Sequence, residues 1–455
     1  MTDRFMSIVN EAAKKTYEKY PDSISGFYAY SDYTLPPTKP ELQKLSPNLS
    51  IWIAPIRFGR YHPLNHPNAP SQQQLFEIVK GWTDRASMIG WRTYNYNLAE
   101  VMAPYSRISI LAYDLPYLYK LGCVGISLES FNSWELYAPH LYLSIRLSYD
   151  PGLDPWKIMA DYWDKAYGPA AEAMEEYWMS IDAAFLAMKT ESGSYHALHH
   201  VYTPEHISKL KGLMEKAEKD VARGTDLQKH RVKVASRGLT RAVYWRKWYD
   251  LTNEGKIREA SNHLKVWGDF VAESQSLRQA NKYDSDYLGR FIGGNVKTAI
   301  NAVNPEGADP RKVIAVLPDE WKSATGDEIA ANAKPWLKDF DDSGWKTIKT
   351  FSDTRNAQGL PEYFGPMWHR IRWTPPKSSS NLMMHFYKAD RKVTLYINGE
   401  QVGEAAREGF RGVTFDLEGK LKPGVENVIT VNIEHIPLPE LFLGGLCGPV
   451  YLIEK

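Results

Sequence analysis

Hydrophobic and polar positions over the first 150 residues fall into two kinds of block. Phe5, Ile8, Val9, Ala12, Thr16 and Tyr20 recur at helical spacing, and Pro21 closes that segment. Short apolar runs without helical spacing follow from Ile24 to Tyr30, Leu49 to Ile56, Met88 to Tyr94 and Cys123 to Leu128. These read as buried strands. Between them lie a helical stripe opened by Ser71 (Leu75, Phe76, Ile78, Val79, Trp82) and a second helix from Ile108 to Leu121. Strands alternating with helices imply parallel βα units, because a parallel strand needs a crossover. A closed barrel needs eight such units and about 250 residues. Four units over residues 1–150 therefore predict the C-terminal half of a TIM-type (β/α) barrel. Its two open edges would be completed by an upstream segment or a partner chain.

The pattern then changes twice. Residues 151–300 are helical throughout: Asp154 caps and Pro155 opens one helix, Thr203-Pro204 opens another, and two more run from about Leu227 to Leu251 and Ile257 to Ala280. Residues 301–312 read as a linker. Residues 313–455 carry β alternation (Val393, Leu395, Ile397), the hairpin turn Asn398-Gly399, and a strand at Val428–Ile433. The fold class expected is thus multidomain, α/β plus all-α plus all-β: a partial barrel, a helical bundle region and an antiparallel β-sandwich.

Composition narrows the function classes. The 55 Lys and Arg nearly cancel the 54 Asp and Glu, which argues against a nucleic-acid backbone binder. Two cysteines, Cys123 and Cys447, are too few for a disulfide framework or a thiolate zinc site. No apolar run approaches the roughly 20 residues of a membrane span. His196, His199, His200 and His206 cluster without a completing carboxylate or thiol, so neither metal nor cofactor is expected. Aromatic residues make up 13% of the chain, which suits either large cores or sugar stacking.

Two segments carry family resemblance. Asp342-Ser343-Gly344-Trp345, Trp368-His369-Arg370, Leu395 to Gly403, Leu421-Lys422-Pro423-Gly424 and Glu426 to Ile429 occur in an order that resembles the galactose-binding-like jelly-roll domain beside β-galactosidase and β-glucuronidase barrels. Near the N-terminus stand Thr2-Asp3-Arg4-Phe5, Val9-Asn10-Glu11-Ala12-Ala13, Lys19-Tyr20-Pro21-Asp22, Tyr28-Ala29-Tyr30, His62-Pro63-Leu64 and Tyr167-Gly168-Pro169-Ala170-Ala171. Over residues 1–180 these resemble the second half of a bacterial domain of unknown function, number 4838, which overlaps glycoside hydrolase family 163. The resemblance implies a retaining hexosaminidase-type barrel in which the substrate acetamido group attacks the anomeric carbon. The acidic pair of such barrels would lie upstream of this chain. It also implies a periplasmic or extracellular location, with any signal peptide upstream.

In a βα barrel, functional side chains project from the C-terminal ends of the strands. Position therefore nominates Tyr30 and Asp32 after the first strand, Arg57 and His62 after the second, Trp91, Arg92, Tyr94 and Asn95 on the third, and Glu129, Asn132 and Trp134 after the fourth. Glu129 and Tyr94 are the catalytic candidates, and the others are substrate-binding candidates. By the resemblance, Glu129 would accept hydrogen bonds from sugar hydroxyls; its alternative is a rim ion pair. Tyr94 could donate to a reacting acetamide or oxyanion. Trp91 and Trp134 could stack on sugar rings. Arg92 stands where the family tends to be acidic. With Arg57 and Arg60 it fits either an anionic sugar or rim ion pairs.

The function expected is a glycoside hydrolase-like protein acting on or binding an oligosaccharide or polysaccharide, by resemblance a substrate-assisted β-N-acetylhexosaminidase. The rival reading is a non-catalytic glycan-binding or scaffold protein whose barrel is completed by a partner chain. Neither nucleic acid nor membrane is an expected partner.

Overall fold

The computed structural model describes residues 1–96, 103–130, 133–192, 195–276, 288–351, 363, 365–378, 381–406, 411–435 and 444–455. Contacts divide the chain into two units. The first is built mainly from residues 1–195 and 200–242. The second takes residues 196–199, 243–274 and the chain from 288 onward. The helical stretch expected as a region of its own is shared between the two.

The first unit is organised by a four-stranded sheet in the order β1 (Ser25–Tyr30), β2 (Leu49–Ala54), β3 (Met88–Tyr94) and β4 (Cys123–Glu129). All three pairings are parallel. The helices α1 (Thr2–Lys19), α2 (Pro70–Thr83), α3 (Ile108–Lys120) and α4 (Trp134–Tyr149) precede, link or follow these strands. This is the predicted βα alternation. Among the described residues the sheet stays open, with β1 and β4 as edges, and no closed barrel is formed.

Further helices follow: α5 (Pro155–Tyr167), α6 (Ala171–Leu186), α7 (Leu198–Val201), α8 (Pro204–Asp220), α9 (Asp226–Asn253) and α10 (Ile257–Ser276). Two of the expected caps are in place. Asp154 accepts from the backbone N–H groups of Trp156 and Lys157, and Thr203 accepts from that of His206. The α2 cap differs: the helix starts at Pro70 after Ala69, and Ser71 lies inside it. No described helix is long and apolar enough to cross a membrane.

The second unit contains the sandwich. A six-stranded sheet runs β11 (Glu400–Ala406), β10 (Lys392–Ile397), β13 (Asn427–His435), β8 (Gly365–Trp373), β6 (Glu320–Thr325), β7 (Lys346–Lys349). A four-stranded sheet runs β12 (Arg411–Asp416), β9 (Leu382–Ala389), β14 (Val450–Glu454), β5 (Lys312–Val316). Every pairing is antiparallel. Alternate residues form the core: Val393, Leu395 and Ile397 with Ile429, Val431 and Ile433 from one sheet, and Met384, Phe386, Val450 and Leu452 from the other. Each such side chain contributes about 1.5–3 kcal/mol on burial. Asn398 (φ 52°) and Gly399 (φ 94°) make the tight turn between β10 and β11.

Arg370 explains why the separated Asp342 and Trp368-His369-Arg370 motifs belong together. It is fully buried, its Nε donates to Asp342 Oδ2 at 2.7 Å and its Nη1 to Thr430 Oγ1 at 2.9 Å. Trp336 stacks on Trp368 and Tyr396 with ring centroids 5.8 and 5.5 Å apart. Side-chain packing of a similar kind sets the parallel sheet: Trp52 of β2 lies across Gly90 of β3 and Gly125 of β4. A Cβ at Gly90 would run into Cδ2 and Cε3 of that indole, whereas one at Gly26 would meet nothing within 4 Å. Gly90→Ala should therefore cost about 1–3 kcal/mol of stability, while Gly26→Ala stays near neutral. Thermal or urea unfolding of the two variants checks this; equal effects would refute the packing account.

Candidate functional site

In-register parallel pairing decides which side chains share a face. Tyr28 pairs with Trp52, Tyr30 with Ala54, Arg92 with Ser127 and Tyr94 with Glu129. These positions, even-numbered in β1 to β3 and odd-numbered in β4 because the β3–β4 register shifts between Ile89 and Gly90, share one face, with Arg92 and Glu129 neighbours near the C-terminal ends of β3 and β4. Odd-parity Leu49, Ile51, Ile53, Ile89 and Trp91 point the other way, and all are buried.

Glu129 is the centre of the polar cluster. Its Oε2 accepts from Arg92 Nε at 2.9 Å and also from Arg92 Nη2, and its Oε1 accepts from Tyr96 Oη at 2.6 Å. The Arg92 and Glu129 side chains each keep 30% of their surface exposed, so this pair faces solvent. Arg92 also reaches the Tyr28 hydroxyl at 3.4 Å and lies over the Tyr28 ring, 5.5 Å from its centroid. Tyr94 is nearly buried. Burial first, and then the Glu129 charge, push its phenol well above the usual value, so it stays a proton donor at neutral pH. Its hydroxyl has no hydrogen-bond partner among the described residues.

The neighbouring strand ends supply a second ion pair. Asp32 pairs with Arg57, and Ser31, in the left-handed region at φ 50°, turns the chain out of β1 to place Asp32 there. Tyr30 lies close enough to Tyr94 to act on its ionisation.

Other expected residues are placed differently. Trp91, 6% exposed and of opposite parity to Arg92, has no open ring face for a sugar. Asn95 is completely buried: its Oδ1 accepts from Thr93 Oγ1 at 2.8 Å and its carbonyl bonds His140 Nε2 at 3.0 Å. These bonds fasten the β3 exit. His62 is buried, its Nε2 bonds Met188 O at 2.9 Å and its ring stacks on His66 at 4.7 Å. Burial, and then His66, hold His62 below the usual histidine range. Trp134 is 49% exposed but lines a groove among helices with Tyr142 and Tyr162. Asn132 lies outside the described residues.

Arg60 is a strut. It is buried between the Tyr94 ring (4.7 Å) and the Tyr96 carbonyl (3.0 Å), and Tyr105 Oη donates to its own carbonyl at 2.7 Å. Among the described residues, no group of three His, Cys, Asp or Glu side chains is arranged to hold a metal. His196 instead meets Lys388 Nζ at 3.1 Å, His199 stacks on Tyr249, and His206 bonds Val201 O at 2.7 Å.

Tyr28, Trp52 and Tyr96 were not singled out in the sequence. For Tyr28 and Trp52 the signal was available, since both share the face of Arg92 and Tyr94 once the strands are aligned, whereas Tyr96 lies beyond the end of β3 and its side needed the structure.

The loop after β2 that carries Arg57, Arg60 and His62 is tied down by Asp114, a buried carboxyl whose Oδ1 accepts from Leu64 N at 2.8 Å. Burial pushes Asp114 up to about 7. The folded state thus binds this proton more tightly than the unfolded chain, whose value is near 3.8. The associated stability is present below about pH 4 and is lost as pH rises through about 7. Asp114→Asn should match the parent at acid pH and become more stable than it by up to about 4 kcal/mol above neutrality. Urea unfolding of both proteins across that range measures the difference. A pH-independent difference would overturn the assignment.

Residues 1–179 match the family model described as a domain of unknown function (DUF4838). No curated protein matches the chain. Among solved structures the chain is similar to Bacteroides uniformis β-glucuronidase, at 26% identity over 31% of this chain and 18% of that one, with a TM-score of 0.26. It is also similar to Ruminococcus gnavus β-glucuronidase in complex with N1-substituted uronic isofagomine, at 18% identity over 33% of this chain and 31% of that one, with a TM-score of 0.26. The chain thus spans between 18% and 31% of the length of these solved proteins.

Proposed function

We propose that the chain is part of a glycoside hydrolase-like protein, and that the C-terminal end of its parallel sheet contacts a glycan. The observation that carries this is Glu129 beside Tyr94: a partly exposed carboxylate oriented by Arg92 and Tyr96, next to an unpaired phenol donor. A sugar presents vicinal hydroxyls that both donate and accept. An oriented carboxylate and a neutral phenol on one face are matched to them. The resemblance of residues 1–180 to the family 163 barrels supports the same reading.

The finer version is a retaining, substrate-assisted β-N-acetylhexosaminidase, in which Tyr94 donates to the acetamide and Glu129 orients the sugar. Glu129 is not the acid of that reaction. A general acid must hand a proton to the leaving group, whereas Glu129 is engaged by a guanidinium and a phenol. Asp32 is likewise engaged by Arg57. Those two pairings also favour the second reading, a non-catalytic glycan binder or scaffold, for the residues described. In either case the protein would meet its glycan in the periplasm or outside the cell, and its sheet edges would pair with further βα units.

A panel of glycans bearing terminal or internal N-acetylhexosamine tests the proposal on the chain itself. Binding is expected, and Glu129→Gln should weaken it by about tenfold or more, the loss typical of a charge-assisted hydrogen bond, with little change in Tm. No glycan binding, or full binding by that variant, would sink it. Aryl β-hexosaminides should not be hydrolysed by this chain; turnover would restore a catalytic acid among its own residues.

A further inference from the structure

Away from the Glu129 cluster, the first unit holds a groove of about 620 Å³ lined by α4, α5 and the first part of α9. On α4 its lining is Trp134, Ala138 and Tyr142, spaced i, i+4, i+8 on one helical face. Tyr162 of α5 faces Tyr142 with ring centroids 5.0 Å apart. Half of the Trp134 surface stays open to solvent, an unusual exposure for so large an apolar ring.

The gap is built in. Near Trp134, Gly238 of α9 lies against the Glu135 carbonyl of α4 so closely that a Cβ would strike the oxygen. Buried Arg241 and Glu135 pair there at 3.5 Å. Toward the start of α9, Gly168, at φ 51°, abuts the Gln228 side chain with no room for a Cβ. The helices are therefore pinned at both ends of the groove, while alanines at 138, 166 and 235 leave the middle unfilled. A cavity in a pinned bundle cannot collapse to recover its lost contacts, so a ligand that fills it gains them.

The chemistry of that ligand follows from the rim. Lys165, His230 and Arg231 line the groove, and no carboxylate does. Lys165 pairs with Asp161 at 2.7 Å, but Arg231 donates only to the Lys165 carbonyl, at 3.3 Å, and has no carboxylate partner among the described residues. The volume suits a small molecule. We propose that this groove binds a small amphipathic anion: a flat aromatic body laid along Trp134, Tyr142 and Tyr162, with its acid group on Arg231 and Lys165.

The test uses two fluorescent probes that differ by one sulfonate, 1-anilinonaphthalene-8-sulfonate and uncharged N-phenyl-1-naphthylamine, titrated into the whole chain. Both should bind at one site, and Ala138→Trp, which fills the groove, should abolish both. The double variant Lys165→Gln/Arg231→Gln should lower the affinity ratio of sulfonate to neutral probe at least fivefold. If Ala138→Trp fails to fold, Trp134→Ala, at a half-exposed position, should weaken both probes tenfold or more with Tm unchanged. Absence of binding, binding unaffected by the groove variants, or an unchanged ratio in the double variant would each overturn the proposal.

Discussion

In a parallel sheet paired in register, the two-residue period of the side chains decides what can meet, and the first unit depends on that constraint. Once Tyr94 is opposite Glu129, Arg92 must share their face and Trp91 must leave it. The loops after the strands inherit the result: Tyr96, two residues beyond Tyr94, returns to the same side and reaches the free oxygen of Glu129. A slip of one residue between β3 and β4 would bring Thr93 opposite Glu129 and send Arg92 and Glu129 to opposite faces. The indole of Trp52 opposes that slip, because only Gly90 and Gly125 leave room beneath it.

Holding polar groups at the strand ends requires buried polar groups behind them. Arg60 takes no carboxylate partner among the described residues; carbonyls and the faces of Tyr94 and Tyr96 receive its charge instead. Asp114 spends its burial on one backbone N–H. Both are expensive by the ordinary cost of removing charge from water. Both secure the same stretch, the β2 exit that carries Arg57. Stability is being exchanged for the position of that loop.

How much of this was legible in the sequence follows from how local each signal is. Strand and helix positions in the first 150 residues depend on hydrophobic period alone, and Met88–Tyr94 was read to the residue. The Asn398-Gly399 turn was equally local, since left-handed backbone is a property of those two residues. The site was legible only as far as strand ends. Asp32, Arg57, Arg92, Tyr94 and Glu129 were reached because barrel topology puts functional groups there. Trp91, Asn95 and His62 came with them and are buried, because sequence position at a strand end does not fix parity or the path of the following loop. Rim ion pairs were foreseen as an alternative for Glu129 and for the arginines, yet that the partners are Arg92 with Glu129 and Arg57 with Asp32 could be seen only in the structure.

Arginine–carboxylate pairing alone would not single out the sheet end as functional, since the sandwich uses the same pairing for architecture. Exposure separates the two cases. Arg370 is wholly buried against Asp342, with its remaining donors spent on Thr430 and on backbone carbonyls, so nothing is left for a ligand. Arg92 and Glu129 each keep about a third of their side-chain surface open, and the adjacent phenol of Tyr94 is unspent. A structural pair excludes water to gain strength, whereas a pair that orients a carboxylate toward solvent gives up much of that strength to screening. Such a pair persists at little benefit to the fold unless something else is meant to meet the open oxygen lone pairs. That asymmetry is the physical ground on which the sheet end is proposed as a recognition surface, and a neutral molecule dense in hydroxyls is the kind of partner that could satisfy those lone pairs without displacing the guanidinium.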